Sequence, residues 1–477
     1  MQILTNEKLI KYLAIAVTMV ACLHRLSTAA ASISNGLALL LLLYLWHQNE
    51  HRFNLSDEAK GYMKAYCIFI LLMLPSIFVS DKPLVSLKEY LNLVVWRYGN
   101  ILFIAIMAFI KRRDYLVNML AALLITTTAD ALLTVPQSLL NMGHQGRGWG
   151  LGGNSLYLSG ILCMVLPVAL VIAMDPAFEK RLKNAASCAV AAITAGLVFN
   201  NSRSAWLTEV LVIPLNIFKY IRQQKKYLVI FALALAGIAA FMAAKPVYMA
   251  RIRRIPPTFT NWSQDPRGQI WKHAVSITQD HPVAGVGLGR FADIYQELRS
   301  KKIEAIKKQI QQAKAAAKKQ AAQPKAAAKK QVNQPKEAAK KQAAQPKAAA
   351  KKQAAQPKAA AKKPSNQPKT VQKKPPKLDM PNLTHAHNNF LQVAAETGVV
   401  GLAGFVYFCG YVLATSFKNY RKYHNPCDKL IFIVFVSNVI FMGLFDVTFF
   451  MSPGMSFMTF LIAVLLQMKT TEKLEDR

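Results

Sequence analysis

Two histidines, His385 and His387, stand two residues apart in "THAHNNFLQVAAETGVVG" (384–401), where a lysine-rich tract gives way to an apolar run. Such a pair suits three roles: metal ligation, general-base chemistry, or the polar cap of a helix. A zinc site on a helix would call for His-x-x-x-His with further His, Cys or carboxylate ligands, and none is recognisable in the sequence. At the start of a helix, with Thr384 as a candidate cap, the positive dipole end disfavours imidazolium. It keeps a histidine neutral near pH 7, which is the form a base needs. A base is better supported than a ligand, with a structural capping histidine as the alternative.

Three arginines fall in comparable settings. "NNSRSAW" (200–206) places Arg203 at a tight connection between two apolar runs, where an arginine is costly unless it is paired, faces water or snorkels to the interface. "DPRGQIWKHAV" (265–275) sets Arg267 one helical turn before Trp271, after a proline that opens a helix. The guanidinium fork suits phosphate oxygens; the alternative is cation–π packing on the indole. "GRGWGLGGN" (146–154) reads as a flexible turn carrying Arg147, and "HPVAGVGLGRF" (281–291) as a tight glycine turn. The latter has no Gly-Lys-Ser/Thr and no Rossmann unit around it, so nucleotide binding is rejected.

The elements that must position these residues are membrane helices. Of the 477 residues 53% are hydrophobic, yet the net charge is +35, so the two properties occupy different places. Between Lys301 and Lys377 lie 23 lysines and 2 glutamates, which accounts for about 21 of the net positive charges. Elsewhere, runs long enough for a hydrocarbon core of roughly 30 Å recur. We expect an all-α polytopic membrane protein of about twelve spans, near Leu9–Leu23, Ala29–Trp46, Ala65–Val79, Val94–Ile110, Leu116–Pro136, Leu156–Met174, Ala185–Phe199, Ala205–Phe218, Leu228–Ala244, Phe390–Ser416, Leu430–Phe445 and Gly454–Met468. This gives a bundle of about nine spans over 1–244, an outer-face loop with short helices over 245–300, an arm over 301–377, and three last spans with a tail over 378–477. The large outer-face loop thus lies between spans nine and ten. The N-terminal run is expected to be a retained anchor, and the six scattered cysteines indicate neither a disulfide framework nor a zinc site.

Basic residues orient the spans. Lys8 and Lys11, Arg52 to Lys64, Lys111 to Arg113, Lys180 to Lys183, "KYIRQQKK" (219–226), "KNYRKYHNPCDK" (418–429) and the tail alternate along the chain as cytoplasmic loops should. Both termini are therefore expected in the cytoplasm, and every motif above on the outer face. Prolines at 324, 335, 346, 357 and 368 mark an 11-residue repeat in the arm, plainest as "AAAKKQAAQPK". Proline at that interval breaks a continuous helix, so the arm reads as solvated and partly helical. It is either a tether or an attractor of anionic headgroups or glycan; without interleaved aromatics it is not a nucleic-acid binder.

By its ordered motifs the chain resembles the bacterial O-antigen ligase and polymerase superfamily, membrane glycosyltransferases that take glycan from undecaprenyl diphosphate on the outer face of the inner membrane. The resemblance covers nearly everything but the arm. "GRGWGLGGNSLYLSGIL", "NNSRSAW", "DPRGQIWKHAV" and "HPVAGVGLGRF" match its ordered motifs, and His387-Asn388 is followed by nine residues and then Gly398-Val399-Val400-Gly401. Leu402 stands where the ligase pattern continues with Thr or Val, and Ser155 where many relatives have proline.

The resemblance implies a GT-C-like helical fold and an O-antigen ligase that joins polymerised glycan to the lipid A core without metal or other cofactor. A polymerase using a second lipid-linked unit and a protein O-oligosaccharyltransferase are the alternatives within the superfamily. It implies His387 as base, Arg203, Arg267 and Arg147 as diphosphate binders, and His385, Asn388, Trp271 and Glu396 in support. From another class, a lipid-linked glycan flippase would show midplane ionisable residues and related halves, which the sequence lacks. Excising residues 301–377 and assaying transfer separates the arm's two roles: a tether leaves the rate unchanged, an anion-binding arm does not.

Overall fold

An amide buried in hydrocarbon has no water to bond, so a chain this apolar must pair its backbone internally, and helices do so within one segment. The computed structural model describes residues 6–97, 99–142, 146–255, 260–261, 265–330, 383–450 and 452–475, and these contain helices and no strand. Among them ten helices are long and apolar enough to cross a membrane, and they coincide with ten of the twelve expected spans. The chain is an all-helical polytopic membrane protein.

The other two expected spans depart from that pattern. Asn6–Leu23 is a full-length helix, but it opens on Glu7, Lys8 and Lys11. The expected span Val94–Ile110 is corrected: a π-helical turn fills Asn92–Arg97, Gly99 has φ 66°, and the helix that follows, Asn100–Phe109, has ten residues. At 1.5 Å per residue it reaches about 15 Å, half a hydrocarbon core. The Asn100 side chain bonds the Val94 carbonyl, which a continuous helix would pair within its own ladder. The third span also breaks, because Pro75 has no N–H to donate: Asp57–Met73 gives way to Pro75–Val79.

Ion pairs show which loops share an end of the bundle. Arg112 pairs with Glu7 and Asp114, and Arg113 with Glu179 and Glu472. Lys469, 1% exposed, bonds both oxygens of Glu58 and Asp428 Oδ1 at 2.7–2.9 Å. The expected basic loops at 8–11, 52–64, 111–113, 180–183 and 418–429 are thereby gathered at one end. At the other end Arg25 pairs with Asp130, and the polar motifs collect.

The chain divides into two compact units, 1–296 with 379–477, and 297–378. The helix Phe291–Lys330 runs past Pro324, further than the repeat suggested; the prolines at 335, 346, 357 and 368 lie outside the described residues.

The element that carries the histidine stretch is the 35-residue helix Asn389–Tyr423, and it is not the single span expected over Phe390–Ser416. Gly398 (φ 64°, ψ −165°) kinks it after three turns, in a backbone region essentially reserved for glycine. The kink frees backbone groups, and the glycine turn takes them. Val286 N and Gly287 N bond the carbonyls of Ala395 and Glu396, and Val399 N and Val400 N bond those of Pro282 and Val283, at 2.8–3.3 Å. A Cβ on Gly285 would lie 2.4 Å from Glu396 C, and one on Gly398 2.3 Å from Val283 C. Beneath the joint, Phe69, Phe405, Phe408 and Phe449 pack with ring centroids 5.0–6.1 Å apart, tying Asp57–Met73 and Asn389–Tyr423 to the loop 445–450. Gly398→Ala should cost about 2 to 4 kcal/mol and lower the unfolding temperature in detergent, whereas Gly410→Ala, in the same helix with open space around it, should not.

Candidate active site

The site is built where the kinked helix begins. Asn388 is its N-cap, accepting from Phe390 N at 2.9 Å and Leu391 N at 3.0 Å, which corrects the expectation of Thr384 in that place. Asn389 faces the other way: its Oδ1 accepts Phe449 N at 3.1 Å and its Nδ2 donates to Thr448 Oγ1 at 3.2 Å. The loop 445–450 is thereby fixed against the histidines. His387, just before the cap, has φ 50°, an uncommon conformation for a side chain of its size. Its carbonyl accepts from Trp271 Nε1 at 3.4 Å, so the tryptophan of the Arg267 helix steadies the histidine backbone.

Asp446 is the residue that sequence reasoning missed. His387 Nδ1 lies 3.2 Å from Asp446 Oδ1, both side chains being buried. Burial alone would push the Asp446 carboxyl up, but the bond from His387 and the nearby charge of Arg267 outweigh it and hold it below the usual carboxylate range. An ionised Asp446 can only accept, so Nδ1–H of His387 donates, and Nε2 is the ring nitrogen left to exchange a proton. The signal was faint: one aspartate, "LFDVT", at the end of an apolar run 59 residues downstream.

His385 is different. Its Nδ1 accepts His387 N at 3.3 Å, so in the neutral ring the proton sits on Nε2. Burial, then the neighbouring His387, pushes this imidazole down to about 4 against the pull of Asp446. Glu396, fully buried beneath the glycine turn, accepts Phe291 N at 3.3 Å and Gln392 Nε2 at 2.9 Å. Gln392 in turn accepts Ala386 N at 2.8 Å. Glu396 therefore holds the histidine segment to the turn.

The arginines converge from four other segments. Arg203 opens the helix Arg203–Gln223 after a turn in which Asn201 takes φ 55°, and its Nη1 bonds Arg254 O at 2.9 Å. Arg147 Nε bonds Asn200 O at 3.2 Å. The loop that carries it is latched to the helix Arg113–Leu139: Gln137 bonds Trp149 N and both backbone groups of Gly150, Ser138 bonds Gly146 O, and Asp130 accepts Leu151 N. Asn200 closes it from the other side through Gly148 O and Ser155 O. Burial, then Arg251, Arg267 and Arg203, pushes Arg147 down to about 10, so it remains a cation. Arg251 feels Arg203 and Arg254 in turn. Sequence analysis had singled out Arg147, Arg203 and Arg267; the structure adds Arg251 and Arg254, legible only as the basic run "RIRR". Such crowding of like charge is costly unless an anion relieves it.

His385, His387 and Asp446 also bring ligand atoms within 4.8 Å of one another, a donor set a cation could use. This corrects the expectation that no third ligand accompanies the histidines. The nearby Arg267 weighs against cation binding there, because its charge already bears on His385 and Asp446.

Residues 188–323 match a protein-family model described as O-antigen ligase. That range holds Arg203, Arg251, Arg254, Arg267 and Trp271, and accords with the superfamily resemblance read from the motifs. No curated protein matches the chain.

Acid should reveal His385. Between about pH 6.5, where an unfolded histidine titrates, and about 4, the native protein binds fewer protons than the unfolded chain, so stability is full above that window and is lost as pH falls through it. His385→Asn can still accept the His387 N–H. Denaturation in detergent between pH 7 and 4.5 should cost the variant on the order of 2 kcal/mol less than the parent.

Proposed function

We propose that this chain, which carries an O-antigen ligase family domain over residues 188–323, is a metal-independent membrane glycosyltransferase of the ligase type. It moves glycan from undecaprenyl diphosphate to a hydroxyl of the lipid A core. The observation that carries this reading is the pairing of His387 with Asp446 beside a cluster of five arginines at one end of a membrane bundle. Positive-inside orientation sets the basic loops in the cytoplasm with both termini, and the site on the periplasmic face of the inner membrane.

Each part then has one task. The acceptor hydroxyl gives its proton to His387 Nε2 as its oxygen attacks the anomeric carbon. The bond from that carbon to the diphosphate oxygen breaks, and the lipid diphosphate leaves with the electron pair. Asp446 stabilises the imidazolium that forms, without taking its proton. Charge growing on the departing diphosphate is met by Arg203, Arg267 and Arg147, with Arg251 and Arg254 behind them. These are fixed cations that supply the neutralisation a metal would otherwise provide. Trp271, Asn388 and Glu396 keep His387 in place.

With purified protein, lipid-linked glycan and a lipid A core acceptor, His387→Ala and Asp446→Asn should each lower kcat by about 10² to 10⁴ while leaving unfolding temperature near that of the parent. Arg267→Ala and Arg203→Ala should also raise the donor KM. Undiminished transfer by His387→Ala removes the base assignment. Transfer to a second lipid-linked unit in place of the core moves the protein to the polymerases.

A further inference from the structure

At the end of the bundle opposite the histidines, a cavity of about 330 Å³ is lined by the loop 53–56 and by residues in or next to the helices Asp57–Met73, Asn100–Phe109 and Ser452–Glu475. Its size falls within the roughly 300–1,000 Å³ of small-molecule sites. Lys60 and Lys111 stand in its wall, and among the described residues no carboxylate does. Glu58, on the helix of Lys60, is turned to Lys469 and Asn419, which bond its Oε1 at 2.8–2.9 Å. Asp57 reaches Lys60 at 3.2 Å, but both side chains are exposed, and such a pair yields readily to a better partner. Lys111 has no ion pair among the described residues.

A buried amide points the same way. Gln467 is 3% exposed and lines the cavity, yet its side chain finds no hydrogen-bond partner among the described residues. A buried amide left so is costly unless an occupant supplies the partner. The Thr471 hydroxyl bonds Gln467 O at 2.9 Å and Lys111 O at 3.3 Å, which holds the amide and the lysine at one level. Asn54 adds a second amide. Two ammonium groups and two amide donors with no acid among them suit the oxygens of a phosphate. Phe53 and Met107 complete the wall. Phe53 stacks on Trp46 and meets Phe109 edge-on, with centroids 6.1 and 6.2 Å apart, an aromatic group of the kind that marks the level of lipid headgroups. A phosphate at that level carries hydrocarbon chains, and to these Phe53 and Met107 offer apolar surface.

We infer that this cavity binds the phosphate of an anionic phospholipid, held by Lys111, Lys60 and the amide of Gln467, and that the bound lipid ties the loop 53–56 to the helix Ser452–Glu475. The site lies at the far end of the bundle from His387, so the inference stands whether or not the chain transfers glycan. A net charge of +35 attracts anionic lipid to the surface at large. What sets the cavity apart is that an uncharged residue, Gln467, takes part in recognition.

The test titrates phosphatidylglycerol, or phosphatidylcholine with the same acyl chains, into delipidated full-length protein in a neutral detergent, counting bound lipid by native mass spectrometry and following the unfolding temperature. One phosphatidylglycerol per chain should bind at least about tenfold more tightly than phosphatidylcholine and raise the unfolding temperature. Lys111→Gln should weaken that binding about fivefold, and Lys60→Gln less, because Asp57 already holds that lysine. Gln467→Leu should weaken it at least about threefold with no change of charge. Lys180→Gln, which removes an exposed cation at the same end but outside the cavity, should leave it unchanged. The unfolding temperature without lipid reports whether each variant is folded, and Lys111, being exposed, can be replaced whatever Gln467→Leu does to the fold. Equal weakening by Lys111→Gln and Lys180→Gln, no weakening by Lys111→Gln, or unchanged binding in a folded Gln467→Leu variant overturns the inference. So does phosphatidylcholine bound as tightly as phosphatidylglycerol, or inorganic phosphate raising the unfolding temperature as far, which makes the cavity a site for a free anion.

Discussion

The site depends on four backbone hydrogen bonds between the glycine turn and the kink at Gly398. A membrane helix that bends sharply leaves amides and carbonyls without partners, and in or near hydrocarbon each such group costs several kcal/mol. Here a second stretch of backbone lying within hydrogen-bond reach takes them up. Glycine at 285 and 398 permits that approach, and the first turns of the kinked helix are then held at a fixed angle to the rest of the span. His387 sits at the tip of that short segment, so main-chain pairing sets where its backbone lies, and Trp271 and Asp446 then hold its carbonyl and its ring. Glu396, bonded to Phe291 N within the same joint, adds a polar anchor where the backbone alone would leave a gap.

Electrostatics completes the arrangement. One end of the bundle balances its charges: Lys469 is enclosed by Glu58 and Asp428, and Arg113 by Glu179 and Glu472. At the opposite end Arg147, Arg203, Arg251, Arg254 and Arg267 act on one another as like charges, with Asp265 and Asp446 among the acids they feel. Ion pairs in the first group fasten helices, and removing one partner strands a buried charge. In the glycosyl-transfer reading proposed above, the second group is where an anionic leaving group would be received. Asp130 shows how fine the boundary is, for an acid inside a span serves there to latch the Arg147 loop through Leu151 N and Arg25.

Much of the fold was legible in the sequence, because the hydrocarbon core imposes length and apolarity on each span. The reading failed where a helix is interrupted by a local device. Asn100 taking the Val94 carbonyl shortened one span, and Gly398 divided another, since hydropathy averages over windows that are blind to a single residue. Of the candidate site, His387, Arg203, Arg267 and Arg147 could be singled out because cations and imidazoles are conspicuous beside apolar runs. Asp446 could not. It stands alone, and its meaning comes from Asn389 clamping its loop, a contact between residues about sixty positions apart.

Gln296 donates to Leu383 O at 2.9 Å, so the two points where the chain leaves and rejoins the bundle are fastened together. The 11-residue repeat lies between these two residues in the sequence. The entropy of closing such a loop grows only logarithmically, by about 0.6 kcal/mol for each doubling of its length. Adding or removing one 11-residue repeat therefore changes the cost of closing the chain at this contact by well under that amount.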